Sequence, residues 1–169
     1  MTEITPDVFV KPVSWSIYLN ICKVLITDAD NEQIAKIMER IQIFLADKAE
    51  VTFEVNPESV TENLLETAKI FGINRISMGI QSLNDDVLSC VGRCCTATKA
   101  RHALALIAKS GLTFCTDFIA GLPGQELTEE ANQDFLASLQ EVVSYKPYHI
   151  SMYSLTVVEG TKLYHQIEG

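Results

Sequence analysis

Short apolar segments begin near residues 51, 75, 113 and 149, and a longer stretch with helical spacing separates each from the next. This alternation constrains the fold more than any other feature of the chain. Nothing between the segments reads as a hairpin turn, so the strands they predict run parallel, joined by right-handed crossovers. In 51–56, Val51, Phe53 and Val55 share one face and Thr52, Glu54 and Asn56 the other, and Pro57 ends the strand. In 75–81, Ile76, Met78 and Ile80 alternate with Ser77, Gly79 and Gln81. Residues 113–119 and 149–155 are the third and fourth strands.

Helices fill the gaps. Ile34, Ile37, Met38, Ile41, Phe44 and Leu45 follow three-and-four spacing, which predicts a helix over 31–50. Thr61 can cap a helix to Phe71, Asn84 a short helical turn, and Thr96 a longer helix stopped at Gly111. Residues 129–145 are helical until Lys146-Pro147, and a last helical turn starts near Lys162. Val13 to Ile26 is apolar enough to form a strand covering the exposed edge of the sheet.

Four parallel strands do not close a barrel. They form an open doubly wound sheet or an arc of a larger barrel. Polar residues at the strand ends favour the arc, and Asp117 shows the arrangement most plainly: it closes an apolar strand ahead of a tight glycine-proline turn and a helix. Glu54 and Gln81 also stand toward the C-terminal ends of their strands, where parallel-strand enzymes hold ligands. Three long polar side chains from successive strands would converge on one cavity, and each needs a partner or a polar ligand. Pairing of Glu54 and Asp117 with Arg75 or Arg93 in a purely structural network is the equal alternative.

Composition narrows the function. An apolar fraction of 47% argues for a folded core, and 169 residues for one domain. The net charge of −9 offers no footprint for nucleic acid or anionic membranes. No apolar run reaches the length of a membrane span. The acidic start lacks the layout of a signal peptide, so a cytoplasmic location is expected, with an organelle left open although no transit peptide is seen. The odd count of five cysteines argues against a disulfide framework. Cys90, Cys94 and Cys95 have poor spacing for a metal, so no metal site is expected, and Cys115 reads as a packing thiol.

Five blocks carry a resemblance: Val51-Thr-Phe-Glu-Val-Asn-Pro57, Asn74-Arg-Ile-Ser-Met-Gly-Ile-Gln-Ser82, Val91-Gly-Arg93, Asp117-Phe-Ile-Ala-Gly-Leu-Pro-Gly-Gln125 and His149-Ile-Ser-Met-Tyr-Ser-Leu-Thr156. In this order they resemble the radical S-adenosylmethionine (SAM) family of oxygen-independent coproporphyrinogen III oxidase and its haem-chaperone relatives. They look more like the haem-chaperone (HemW) branch. The resemblance runs from about residue 31 to the end, so 31–169 reads as a partial radical SAM core and 1–30 as a divergent N-terminal segment. The fold it implies is α/β, a partial (β/α) barrel lacking its N-terminal strands.

The resemblance also implies roles. Glu54 matches the glutamate that binds the methionyl or ribose part of SAM, and Gln81 the glutamine on the ribose. Arg93 matches the arginine on the methionyl carboxylate, and Asp117 an aspartate that hydrogen-bonds the cofactor. Ile119 and Thr156 fall where the adenine is lined. Haem or porphyrin is the associated ligand the family implies. Carboxylate and amide groups suit ribose hydroxyls, and an arginine fork suits a carboxylate.

The departures are equally specific. The C-x3-C-x2-C loop that holds the family's 4Fe-4S cluster is absent, and so is the Gly-Gly-Thr-Pro stretch that cradles the methionyl amine. Cys95 stands where relatives often carry a histidine, and the chain stops before their C-terminal domain. Without three thiolates the reductive step has no physical basis, so no catalytic residue is assigned and the chain alone is expected to be inactive. The leading expectation is a truncated or divergent family member. The alternatives are a non-catalytic SAM-binding module, or an inactive gene fragment whose barrel a partner chain completes.

Overall fold

Strands and helices alternate along the whole of the computed structural model, which describes residues 21–125, 128–161 and 163–165. The strands are β1 (Ile21–Thr27), β2 (Leu45–Val55), β3 (Arg75–Gln81), β4 (Thr113–Ala120) and β5 (His149–Ser154). The helices are α1 (Asn31–Ile41), α2 (Glu62–Ile70), α3 (Asp85–Cys90), α4 (Ala97–Ser110) and α5 (Glu129–Ser144). The sheet order is β1-β2-β3-β4-β5, and every neighbouring pair is parallel. The order never reverses, so crossovers of one hand all pass over the same face. That is the arc of a barrel. A doubly wound sheet reverses its order and is excluded.

The expected edge strand is present in its described part, and one expected helix is corrected. A fifth strand, β1, borders β2 and accounts for the C-terminal part of the strand expected over 13–26; residues 13–20 lie outside the described residues. The helix expected over 31–50 ends at Ile41, a 3-10 turn spans Gln42–Phe44, and β2 starts at Leu45. Phe44 and Leu45 fit the helical period, but β1 pairs Leu45 with Ile21 and Glu50 with Lys23, partners the local sequence does not reveal, and the register breaks across residues 46–49 between them. Lys48, at φ +68°, has left the helical region altogether. The ion pair from Lys23 to Glu50, 3.2 Å across β1 and β2, accompanies this pairing.

The helices start at side-chain caps. Asp30 and Gln33 form a capping box on α1, and Thr61, Asn84, Thr96 and Thr128 cap α2, α3, α4 and α5. Gly111 ends α4 at φ +78°, a conformation that a side chain would disfavour. Thr161 accepts from the Tyr164 backbone in a last helical turn over 163–165; Lys162 lies outside the described residues.

The two faces of the sheet differ in chemistry. Ile26, Val51, Phe53, Ile76, Met78 and Phe118 point to the helices and are buried with Ile34, Leu65, Leu104 and Ile107. Phe118 meets Phe135 of α5 edge to face, with ring centroids 6.0 Å apart. Burying one such side chain contributes about 1.5–3 kcal/mol. The opposite face carries Lys23, Glu50, Thr52, Glu54, Arg75, Ser77, Cys115 and Asp117 by strict alternation.

Candidate functional site

The polar face is wired along its length. Arg75 donates to Glu50 at 2.9 Å and to the Cys115 sulfur at 3.2 Å. The Cys115 thiol donates to Ser77 Oγ at 3.3 Å, and the Ser77 hydroxyl donates to Asp117 Oδ2 at 3.3 Å. The line climbs from the N-terminal ends of the strands to their C-terminal ends. Burial alone would raise the Glu50 carboxyl, but hydrogen bonds from Lys23 and Arg75 outweigh it and hold it below its ordinary value.

At the C-terminal ends lies a cavity of about 270 Å³, lined by Thr27, Asp28, Glu54, Val55, Asn56, Ser77, Gly79 and Asp117. A larger hollow of about 570 Å³ adjoins it at the start of α1 and shares Asp28, Glu54, Val55 and Asn56. Parallel neighbours bring Glu54 level with Ser77, and Gly79 level with Asp117. The Glu54 carboxyl is raised above its ordinary value, first by burial and then by the charges of Asp117 and Asp28. Among the described residues neither Glu54 nor Asp117 forms an ion pair. Arg75 is taken by Glu50, and Arg93 donates to the Asn56 side-chain oxygen at 3.2 Å. The purely structural network is therefore not formed, and the mouth keeps three carboxylates beside one arginine.

Gln81 and Arg93 flank the cavity, each against a residue that lines it. Gln81 lies across Gly79, and Arg93 on Asn56. Ile119 is two residues beyond Asp117 on the same face, opposite Tyr153. Thr156 is exposed in the segment after β5, next to Leu155, whose backbone N–H donates to Ala120 at 2.9 Å. The sequence reading did not single out Asp28, Asn56, Ser77 or Gly79 as site residues. Three of them sit two residues from Glu54 or Gln81, or between Arg75 and Gly79, so strand alternation alone would have found them. Asp28 carries no such signal; it sits at φ +49° just past β1.

The sequence profile of the Radical SAM superfamily matches residues 21–136, from the first residue of β1 into α5. This chain belongs to the radical SAM superfamily. It is 42% identical over 133 residues to the heme chaperone HemW of Haemophilus influenzae, a match covering 77% of this chain and 33% of that protein. It is 32% identical over 146 residues to the mitochondrial radical S-adenosyl methionine domain-containing protein 1 of Mus musculus, covering 83% and 31%. The chain thus spans about a third of these relatives' length. Among solved structures, coproporphyrinogen III oxidase (HemN) from Escherichia coli superposes with a TM-score of 0.72 at 22% identity, covering 86% of this chain and 34% of that one. That likeness shows the fold, and the described residues of this chain form five adjacent parallel strands of it.

The thiols do not fit a 4Fe-4S cluster. The sequence has no C-x3-C-x2-C run, and no group of three histidine, cysteine or acidic side chains suited to a metal occurs among the described residues. Cys90 and Cys94 are exposed, Cys95 is buried, and Cys115 is buried on the polar face. No described helix is long and apolar enough to cross a membrane.

Proposed function

We propose that the C-terminal mouth of this sheet binds SAM, as part of a HemW-like radical SAM barrel. Charge carries the reading. Asp28, Glu54 and Asp117 face one cavity with no ion pair among the described residues, while SAM brings a sulfonium and an ammonium cation. Arg93, at the rim, suits the one anionic group of that ligand, its carboxylate. Glu54, Gln81 and Asp117 supply acceptors and an amide donor for the ribose hydroxyls. Ile119 offers an apolar side chain next to Asp117 for the adenine, and Thr156 follows from the family resemblance alone.

Bound there, SAM supplies a sulfonium-linked adenosyl group. The residues of this chain bind and orient it; no redox step follows from them, because they do not fit a cluster. Haem or porphyrin association is proposed for the barrel as a whole, on the strength of the relatives' names. A cytoplasmic location belongs to the same reading.

Calorimetry with SAM tests the site. The native chain should release heat that Gln81→Ala and Asp117→Ala each reduce. Equal heats in all three would overturn the reading.

A further inference from the structure

Gln81 has an unusual backbone. Its φ is +62°, although it is neither glycine nor asparagine. It sits at the centre of a three-residue turn in which the Ser82 N–H donates to the Ile80 carbonyl at 2.8 Å. The register with β4 slips at the same place. Gly79 stands opposite Asp117 and Gln81 opposite Phe118, so Ile80 is an extra residue, a bulge. Strain of this kind persists only where the surroundings over-determine it, and it gathers at functional sites.

The side chain then folds back across β3. A Cβ built on Gly79 would lie 2.5 Å from Gln81 Nε2, 3.6 Å from its Cδ and 3.8 Å from its Oε1. The amide of Gln81 therefore occupies the space that any side chain at 79 would fill. Gly79 itself lines the cavity, level with Asp117. Its φ lies outside the left-handed region, so its backbone does not call for glycine. The three atoms nearest to such a Cβ all belong to Gln81, and only its Nε2 is in conflict.

We infer that Gly79 is a positioning residue. Its missing Cβ, with the bulged turn at Gln81, holds the Gln81 amide across the strand at the edge of the ligand cavity. The inference rests on the SAM-binding reading for its ligand, but its geometric half does not. Alanine at 79 is compatible with the strand and displaces only the Gln81 amide, so it should act on binding as loss of that amide does.

The test is a double-mutant cycle on the full chain with SAM as the titrant. Gly79→Ala and Gln81→Ala should each weaken binding about tenfold, the worth of one or two hydrogen bonds. The double variant should be no weaker than either single, because both remove the same contact. Losses that multiply, or Gly79→Ala binding like the native chain, overturn the inference. Gly79→Ala should also melt within a few degrees of the native chain, so that lost binding is not lost folding. A ligand-free measurement separates this inference from the function. The Gln81 side-chain amide should show nuclear Overhauser contacts to the Gly79 α protons, and its resonances should shift in Gly79→Ala. Absence of those contacts defeats the inference even if SAM binds. Their presence in a chain that does not bind SAM leaves the positioning intact and defeats the function.

Discussion

The Arg93 guanidinium donates to the side-chain oxygen of Asn56 at 3.2 Å, tying the loop after α3 to the end of β2. Thirty-seven residues separate the pair in the chain. The contact holds the guanidinium against a residue that lines the cavity. Asn56→Ala should therefore weaken SAM binding about threefold to tenfold by freeing Arg93. Arg93→Ala should weaken it more, and the melting temperature of each should move little. Isothermal titration of the three proteins decides, and an unaffected Asn56→Ala refutes the positioning role.

Glu54 sets a pH dependence. Burial, then Asp117 and Asp28, hold its carboxyl above its ordinary value. The folded chain keeps this proton longer than the unfolded one. Stability from the group is thus fully present below the ordinary carboxylate range and is lost as pH rises through the raised value. Glu54→Gln should raise the melting temperature at about pH 7 and leave it unchanged at about pH 3, below that range. The same substitution should weaken SAM binding, since a repelled carboxylate is what a cation relieves. A melting temperature that falls at about pH 7 contradicts the assignment.

Thr116 tests the helix-covered face. Its side chain is fully buried, and its hydroxyl has no hydrogen-bond partner. Valine has the same shape without the unmet polar group. Thr116→Val should stabilise the fold by about 1 kcal/mol. The readout is a higher urea midpoint at unchanged slope.

The thiols should divide by exposure. Cys90 and Cys94 are exposed, whereas Cys95 and Cys115 are buried. Burial first, then Glu58, pushes the Cys95 thiol up to about 11, so little thiolate forms at neutral pH. Brief iodoacetamide treatment of the native chain, followed by peptide mass spectrometry, should label Cys90 and Cys94 and spare Cys95 and Cys115. Labelling of all four at one rate would contradict this packing.

Much of the site was legible because strands alternate. Glu54 and Asp117 share a face with Ser77 and Gly79 for a reason contained in their own spacing. The caps Thr61, Asn84 and Thr96 were legible for a similar reason, since each bonds a backbone N–H within three residues. Where the helical and extended readings of one stretch compete, local pattern fails. Leu45 and Glu50 joined the sheet because Ile21 and Lys23 of β1 lay beside them, and nothing in 45–50 announces those neighbours.

The parallel α/β alternation and the polar rim could be read from residues alone, because period and spacing are local properties of the chain, and five motif blocks carried the family resemblance. Tertiary structure decided the rest. It chose an arc over a doubly wound sheet through strand order, gave Arg75 to Glu50 rather than to Glu54, and turned Gln81 back over Gly79 at a bulge. Each of these depends on which distant segments become neighbours. A residue's partner, unlike its period, is set by the packing of the whole sheet.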